Sequence, residues 1–139
     1  IAPGGDAHLE GLAGREPRCG LRAGERVNHH CPSVDVMFRS VAKAFGTKSR
    51  GVLLTGMGRD GANGLLEMRQ AGARTLAQDE GTSIVYGMPR AAVEIGAAAR
   101  QLPLHQITYQ TIIAGGSAAA ADTRKTTPPE APDAHARHR

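Results

Sequence analysis

The sequence predicts an α/β fold: a doubly wound, mostly parallel sheet flanked by helices. Three observations carry that reading. A short apolar run at 52–55 leads into a glycine-rich turn, a helical stretch from Ala62 to Ala71 and a second strand-like run at 73–78. Strand, helix and strand within about 30 residues make a βαβ unit, since parallel strands need a crossover of that length. One amphipathic helix precedes this unit and a proline-led helix follows it, which supplies the flanking layers.

Residues 1–31 are turn-rich, with short candidate strands near His8-Leu9 and Cys19-Leu21. After Pro32, the residues Val34, Met37, Phe38, Val41, Ala42 and Phe45 fall on one stripe of a helix and read as core. Ser33 stands at the N-cap position, Asp35 complements the positive helix end, and Gly46 stops the helix. Val52 to Thr55 predicts a strand buried on both faces. The helix begun near Ala62 ends at Gly72, and Ala73 to Gln78 forms the next strand. Pro89 suits the first position of a further helix, expected to run to about Leu102. Leu104, Ile107, Thr111 and Ile112 predict one more short helix. Residues 115–139 hold no large apolar side chain and are rich in Ala, Thr and Pro. They bury too little to offset the entropy of ordering, so the expectation is a folded portion over 1–114 and a disordered tail over 115–139.

A chain of 139 residues suffices for one modest core, and 40% hydrophobic residues suit a globular protein. No apolar run approaches the ~18 residues of a membrane span, and no leader-like segment opens the chain, so the cytoplasm is expected, without membrane insertion. Cys19 and Cys31 lack the second pair that a C-x-x-C zinc site needs. His29, His30 and Cys31 are adjacent, but consecutive side chains diverge, so no metal site is expected. The net charge of +4 is a mild excess, and 3% aromatic residues leave little for stacking on bases. Nucleic acid is therefore not an expected partner. Ile1 stands where a complete gene product carries Met, and Ile-Ala-Pro reads as a strand end, so the chain is expected to enter mid-domain.

The segment "VLLTGMGRDGANG" decides between chemistries. Gly56, Gly58 and Gly61 spell G-x-G-x-x-G after a strand and before a helix, with Asp79 or Glu80 about 20 residues on, as in a Rossmann-like dinucleotide-binding site. Against this, Asp60 would set a carboxylate beside a pyrophosphate. Some 50 residues precede the motif, and the remaining ordered chain is too short for a six-strand nucleotide fold. The other reading takes Asp60 as functional. It lies five residues past Thr55, in the crevice beyond a strand end, where a carboxylate can orient a catalytic histidine. A plainer role for Asp60 is N-cap of the helix that begins near Ala62.

The blocks "IAPGGDAHLE", "PSVDVMFRSVA", "GVLLTGMGRDGANG" and "AGARTLAQDEGTSIVYGMPRAA" resemble, in order, the CheB family of protein-glutamate methylesterases of bacterial chemotaxis. The likeness runs over about residues 1–113. It implies a hydrolase-like α/β domain with a Ser-His-Asp triad that cleaves receptor glutamate methyl esters and deamidates certain glutamines, without a cofactor. Asp60 maps onto the triad aspartate, and the backbone at Met57 and Gly58 maps beside the nucleophile as oxyanion support. Partners implied are methyl-accepting chemotaxis receptors and an upstream half of the domain. The family's serine and histidine lie upstream of the part that matches Ile1, as does a receiver domain. Ser33, Ser40, Ser49, Ser83 and Ser117 lack a nucleophile-elbow context. His8, His29 and His30 do not match the catalytic histidine, and Cys31 stands where members commonly carry Arg. Three readings follow: an esterase portion contributing Asp60, a nucleotide binder, and a non-catalytic association module.

Overall fold

The computed structural model describes residues 1–112. It opens with a hairpin of β1 (Ala7–Leu12) and β2 (Arg18–Ala23), paired antiparallel with Leu9 opposite Leu21. Both candidate strands of the turn-rich segment are thus present, and longer than the sequence shows. The hairpin lies against α1 (Val34–Phe45). Gly11 makes that approach possible, because a Cβ there would sit 3.0 Å from both Phe45 and Val41 side chains. Its amide donates to Ser40 Oγ at 2.8 Å, which ties strand to helix.

A parallel sheet follows, in the order β3 (Arg50–Leu53), β4 (Arg74–Gln78) and β5 (Arg100–Leu102). Val52 pairs with Leu76, and Ala77 with Gln101. The two crossovers are α2 (Ala62–Gln70) and α3 (Met88–Glu94), and α4 (Leu104–Ile112) closes the described chain. Phe38 of α1, Leu53 of β3, Leu65 and Met68 of α2 and Ala92 of α3 meet in one buried cluster. Each large apolar side chain so buried contributes about 1.5–3 kcal/mol. This packing fixes α1 against α2 at the C-terminal end of β3, where the loop with Asp60 emerges.

Two expectations need correction. The strand of 52–55 ends at Leu53, and Leu54 and Thr55 lie exposed. Thr55 leaves the ladder because its amide donates to the buried Gln78 side chain at 2.8 Å, while its hydroxyl exchanges hydrogen bonds with the Val85 backbone. Burial on both faces also fails, since only Gly51 and Leu53 are buried in β3. The second correction concerns 89–102. The proline-led helix stops at Glu94, before Gly96 at φ 71°, and Arg100–Leu102 becomes the third strand. Thr75 captures this segment: its Oγ1 donates to the Ala97 carbonyl, and its carbonyl and Oγ1 both accept from the Ala99 amide. The expected tail over 115–139 lies outside the described residues.

Candidate active site

Asp60 is buried, 6% exposed, in the loop between β3 and α2. Gly61 beside it has φ 92°, and a Cβ there would meet Val34 at 2.7 Å, so glycine alone permits this close turn against α1. The Asp60 carboxylate accepts four hydrogen bonds, none from its own helix. Oδ1 accepts from Ser33 Oγ at 2.7 Å, Asn28 Nδ2 at 3.2 Å and the Asp35 amide at 3.3 Å. Oδ2 accepts from the Val34 amide at 2.7 Å. Burial by itself raises the Asp60 pKa, but the bonds from Val34, Ser33, Asn28 and Asp35 outweigh it and hold the carboxyl below its ordinary value.

The plainer role for Asp60 is thereby corrected. Gly61 occupies the N-cap of α2, and Asp60 satisfies the first amides of α1 instead. Ser33 stands at the N-cap of α1 as the sequence suggests, yet its hydroxyl makes no cap bond and donates to Asp60. Asp35, fully buried, reaches the other way: Oδ1 accepts from the Gly64 amide in the first turn of α2 at 2.5 Å. Its Oδ2 accepts from Asn28 Nδ2 at 2.6 Å. The amide of Asn28 therefore touches both carboxylates.

His8 supports this cluster from the hairpin. It is 1% exposed, and the Ser33 amide donates to Nδ1 at 3.1 Å. Nδ1 is then an acceptor, so Nε2–H donates to the Glu25 carbonyl at 2.8 Å. Nδ1 holds the start of α1 and Nε2 the loop after β2, so both ring nitrogens are engaged in backbone contacts and His8 is a structural histidine. Asn28 and Asp35 were not singled out as site residues in the sequence; the signal available was Asn at a turn position that tolerates the left-handed region.

Met57 is 85% exposed, and Gly58 has φ 89° with open space where a Cβ would point. Among the described residues neither amide donates a hydrogen bond, whereas the neighbouring Gly56 is fixed at both ends. Its amide donates to Val85, and its carbonyl accepts from Gly87 and Met88 at 3.1 and 2.8 Å. Two amides are thus presented on a clamped turn, with Asp60 two residues further on.

The dinucleotide reading fails on the same geometry. The N-terminus of α2, where a pyrophosphate would sit, is filled by the Asp35 carboxylate. Asp79, the acidic residue expected on a ribose, instead accepts from the Thr82 amide and hydroxyl at 3.0 and 2.6 Å and closes its own loop. His29, His30 and Cys31 lie exposed or half-exposed, and no group of three or more metal-ligating side chains occurs among the described residues.

The chain is thus an α/β unit in which a parallel β-sheet presents, past a strand end, a buried aspartate held by four hydrogen bonds, beside a turn whose Met57 and Gly58 amides donate to nothing among the described residues. The comparisons give the family. The CheB methylesterase family model matches residues 1–111, and the chain belongs to that family. It is 62% identical over 104 residues to protein-glutamate methylesterase/protein-glutamine glutaminase 1 of Caulobacter vibrioides, covering 75% of this chain and 30% of that protein. Against protein-glutamate methylesterase/protein-glutamine glutaminase 4 of Anaeromyxobacter dehalogenans, identity is 53% over 118 residues, or 85% of this chain and 33% of the relative. The crystal structure of the Thermotoga maritima CheB methylesterase catalytic domain superposes with a TM-score of 0.75 at 32% identity, over 79% of this chain and 59% of that one. The chain spans about a third of the length of the curated relatives it matches.

Proposed function

We propose that this chain is the aspartate-bearing part of a Ser-His-Asp methylesterase site acting on glutamate methyl esters of chemotaxis receptors, and on glutamine amides by the same chemistry. The observation that carries it is the state of Asp60. Its carboxylate is buried, ionised and rotationally fixed, with three donors on Oδ1 and one on Oδ2. Oδ1 is already crowded by three donors and Oδ2 carries one, so Oδ2 is the oxygen with capacity left to accept a histidine N–H. In that role Asp60 sets the tautomer of the base and stabilises the imidazolium formed when the serine attacks. The Met57 and Gly58 amides are the donors available for the developing oxyanion. The serine and histidine come from a family-type upstream segment, and the reaction takes place in the cytoplasm. No helix of the described residues is long and apolar enough to cross a membrane.

The test joins the chain to the serine- and histidine-bearing segment of a family domain and follows methanol release from methylated receptor. Activity that requires Asp60 supports the reading. Activity indifferent to Asp60 overturns it.

A further inference from the structure

We propose that Asn28 is a positioning residue of this site: its side-chain amide, bridging Asp35 and Asp60, fixes the rotation of the Asp60 carboxylate and leaves Oδ2 to receive the histidine N–H. The inference rests on the triad role of Asp60 and adds the residue that sets its orientation.

Three observations converge on it. Nδ2 of Asn28 lies 2.6 Å from Asp35 Oδ2 and 3.2 Å from Asp60 Oδ1, a single donor group shared between two buried carboxylates. The two acids belong to different segments 25 residues apart, so one side chain registers the loop after β3 against the start of α1. Asn28 also has φ 52°, one of two non-glycine residues with positive φ among those described. Backbone strain of this kind persists where surrounding contacts over-determine it, and here those contacts are the two carboxylates.

The groups that face this cluster are few. Asp35 and Arg39 come from α1 and His8 from β1. Arg39 feels both acids, but its guanidinium is engaged by Glu67 of α2 at 2.6 Å. His8 makes its two bonds to the Ser33 amide and the Glu25 carbonyl and touches neither carboxylate. Among the described residues, Asn28 is thus the one side chain bonded to both acids. Without it Asp35 Oδ2 loses the hydrogen bond from Asn28 and Asp60 Oδ1 loses one of its three donors. The carboxylate can then turn within the cap, and the histidine meets a mobile acceptor.

The experiment uses the completed domain described above with three substitutions. Asn28→Gly keeps the left-handed backbone and removes the amide. Asn28→Asp keeps the shape and replaces the donor by an acceptor, while Asp60→Asn reports on the triad itself. Expected for Asn28→Gly is a fall in kcat of about tenfold to a hundredfold with KM unchanged, the range for losing a hydrogen bond to a charged group. Asn28→Asp should fall further, although a purely steric role would spare it. The Asp60 side-chain carbon, followed by NMR across an acid titration of the 139-residue chain, should titrate higher in Asn28→Gly than in the parent. Circular dichroism of each variant gives its folded fraction. A kcat within about twofold of the parent after that correction, Asn28→Asp performing like the parent, or an unmoved Asp60 titration overturns the role of Asn28. If Asp60→Asn itself leaves kcat intact, the triad reading falls, and the positioning role falls with it.

Discussion

Asp35 and Asp60 cap each other's helices: Asp60, which precedes α2, accepts the Val34 amide of α1 at 2.7 Å, and Asp35 of α1 accepts the Gly64 amide of α2 at 2.5 Å. The first turn of each helix is thus bonded to a carboxylate that the other segment supplies, which ties α1, the loop after β3 and α2 together. The exchange also explains how a candidate triad residue can be rigid while making no bond within its own loop.

Acid should expose this coupling. Asp60 binds its proton more weakly folded than unfolded, since its carboxyl is held below the ordinary 3.8. Its contribution to stability is therefore full above that value and is lost as pH falls through the folded value. Urea midpoints of the chain and of Asp60→Asn, measured stepwise from about pH 7 downwards, should differ most at neutral pH and converge below 3.8. At neutral pH the substitution should cost about 1–3 kcal/mol, because the new amide would face N–H and O–H donors. A gap that stays constant to the lowest pH would show that Asp60 makes no ionised cap.

Two glycines of the same region should respond differently. A Cβ on Gly64 would lie 2.7 Å from Phe38 Cβ and 2.9 Å from the Asp35 carbonyl, neither of which is the end of a flexible chain. Gly64→Ala should force α1 and α2 apart and destabilise the fold by about 1–3 kcal/mol. A Cβ on Gly58 would meet open space, but φ 89° costs an L-residue about 1–2 kcal/mol. In the completed enzyme Gly58→Ala should reduce kcat as well, by disturbing the amides next to it. Thermal melts together with kinetics separate the two. Equal melting temperatures for Gly64→Ala and the parent would contradict the close helix crossing.

The glycine motif makes a binding prediction. With the start of α2 occupied by Asp35, the chain should show no heat of binding with NAD or NADP in calorimetric titration. Micromolar affinity abolished by Gly58→Val would restore a nucleotide role to 56–61.

What the sequence discloses follows how local the cause is. The stripe from Val34 to Phe45 lies on one helix face, and α1 runs over those residues. The βαβ order was legible because glycines at 56–61 and 72 punctuate it, and these adopt positive φ at 58, 61 and 72. The third strand was hidden because its three residues carry no apolar run; Arg100–Leu102 is a strand through pairing with β4. Asp60 could be chosen from its place past a strand end, but not its partners. Asn28, Ser33 and Val34 are between 26 and 32 residues away in sequence, and nothing in the spacing announces that they converge. Asp35 looked like an ordinary acidic residue in a first turn, and only the packing of α1 on α2 turns it toward another helix.

The completed site gives the strongest prediction. The 139-residue chain alone should release no methanol from methylated receptor, because an aspartate cannot replace the serine and histidine that cleave the ester. Joined to the upstream part of a family domain, it should become active, with Asp60 Oδ2 facing the histidine. Asp60→Asn should then lower kcat by about 10⁴-fold, the effect of neutralising a triad aspartate, well beyond what its loss of stability explains. Asp79→Asn serves as the control. Its Oδ1 accepts from the Thr82 amide and hydroxyl, and an asparagine Oδ1 accepts both equally well, so kcat should stay within about twofold. Histidine N–H chemical shifts in the completed domain provide a readout independent of turnover, since a proton shared with an ionised Asp60 resonates downfield and should move upfield in Asp60→Asn. If Asp60→Asn keeps kcat within about threefold and leaves that resonance in place, Asp60 is a helix cap and nothing more.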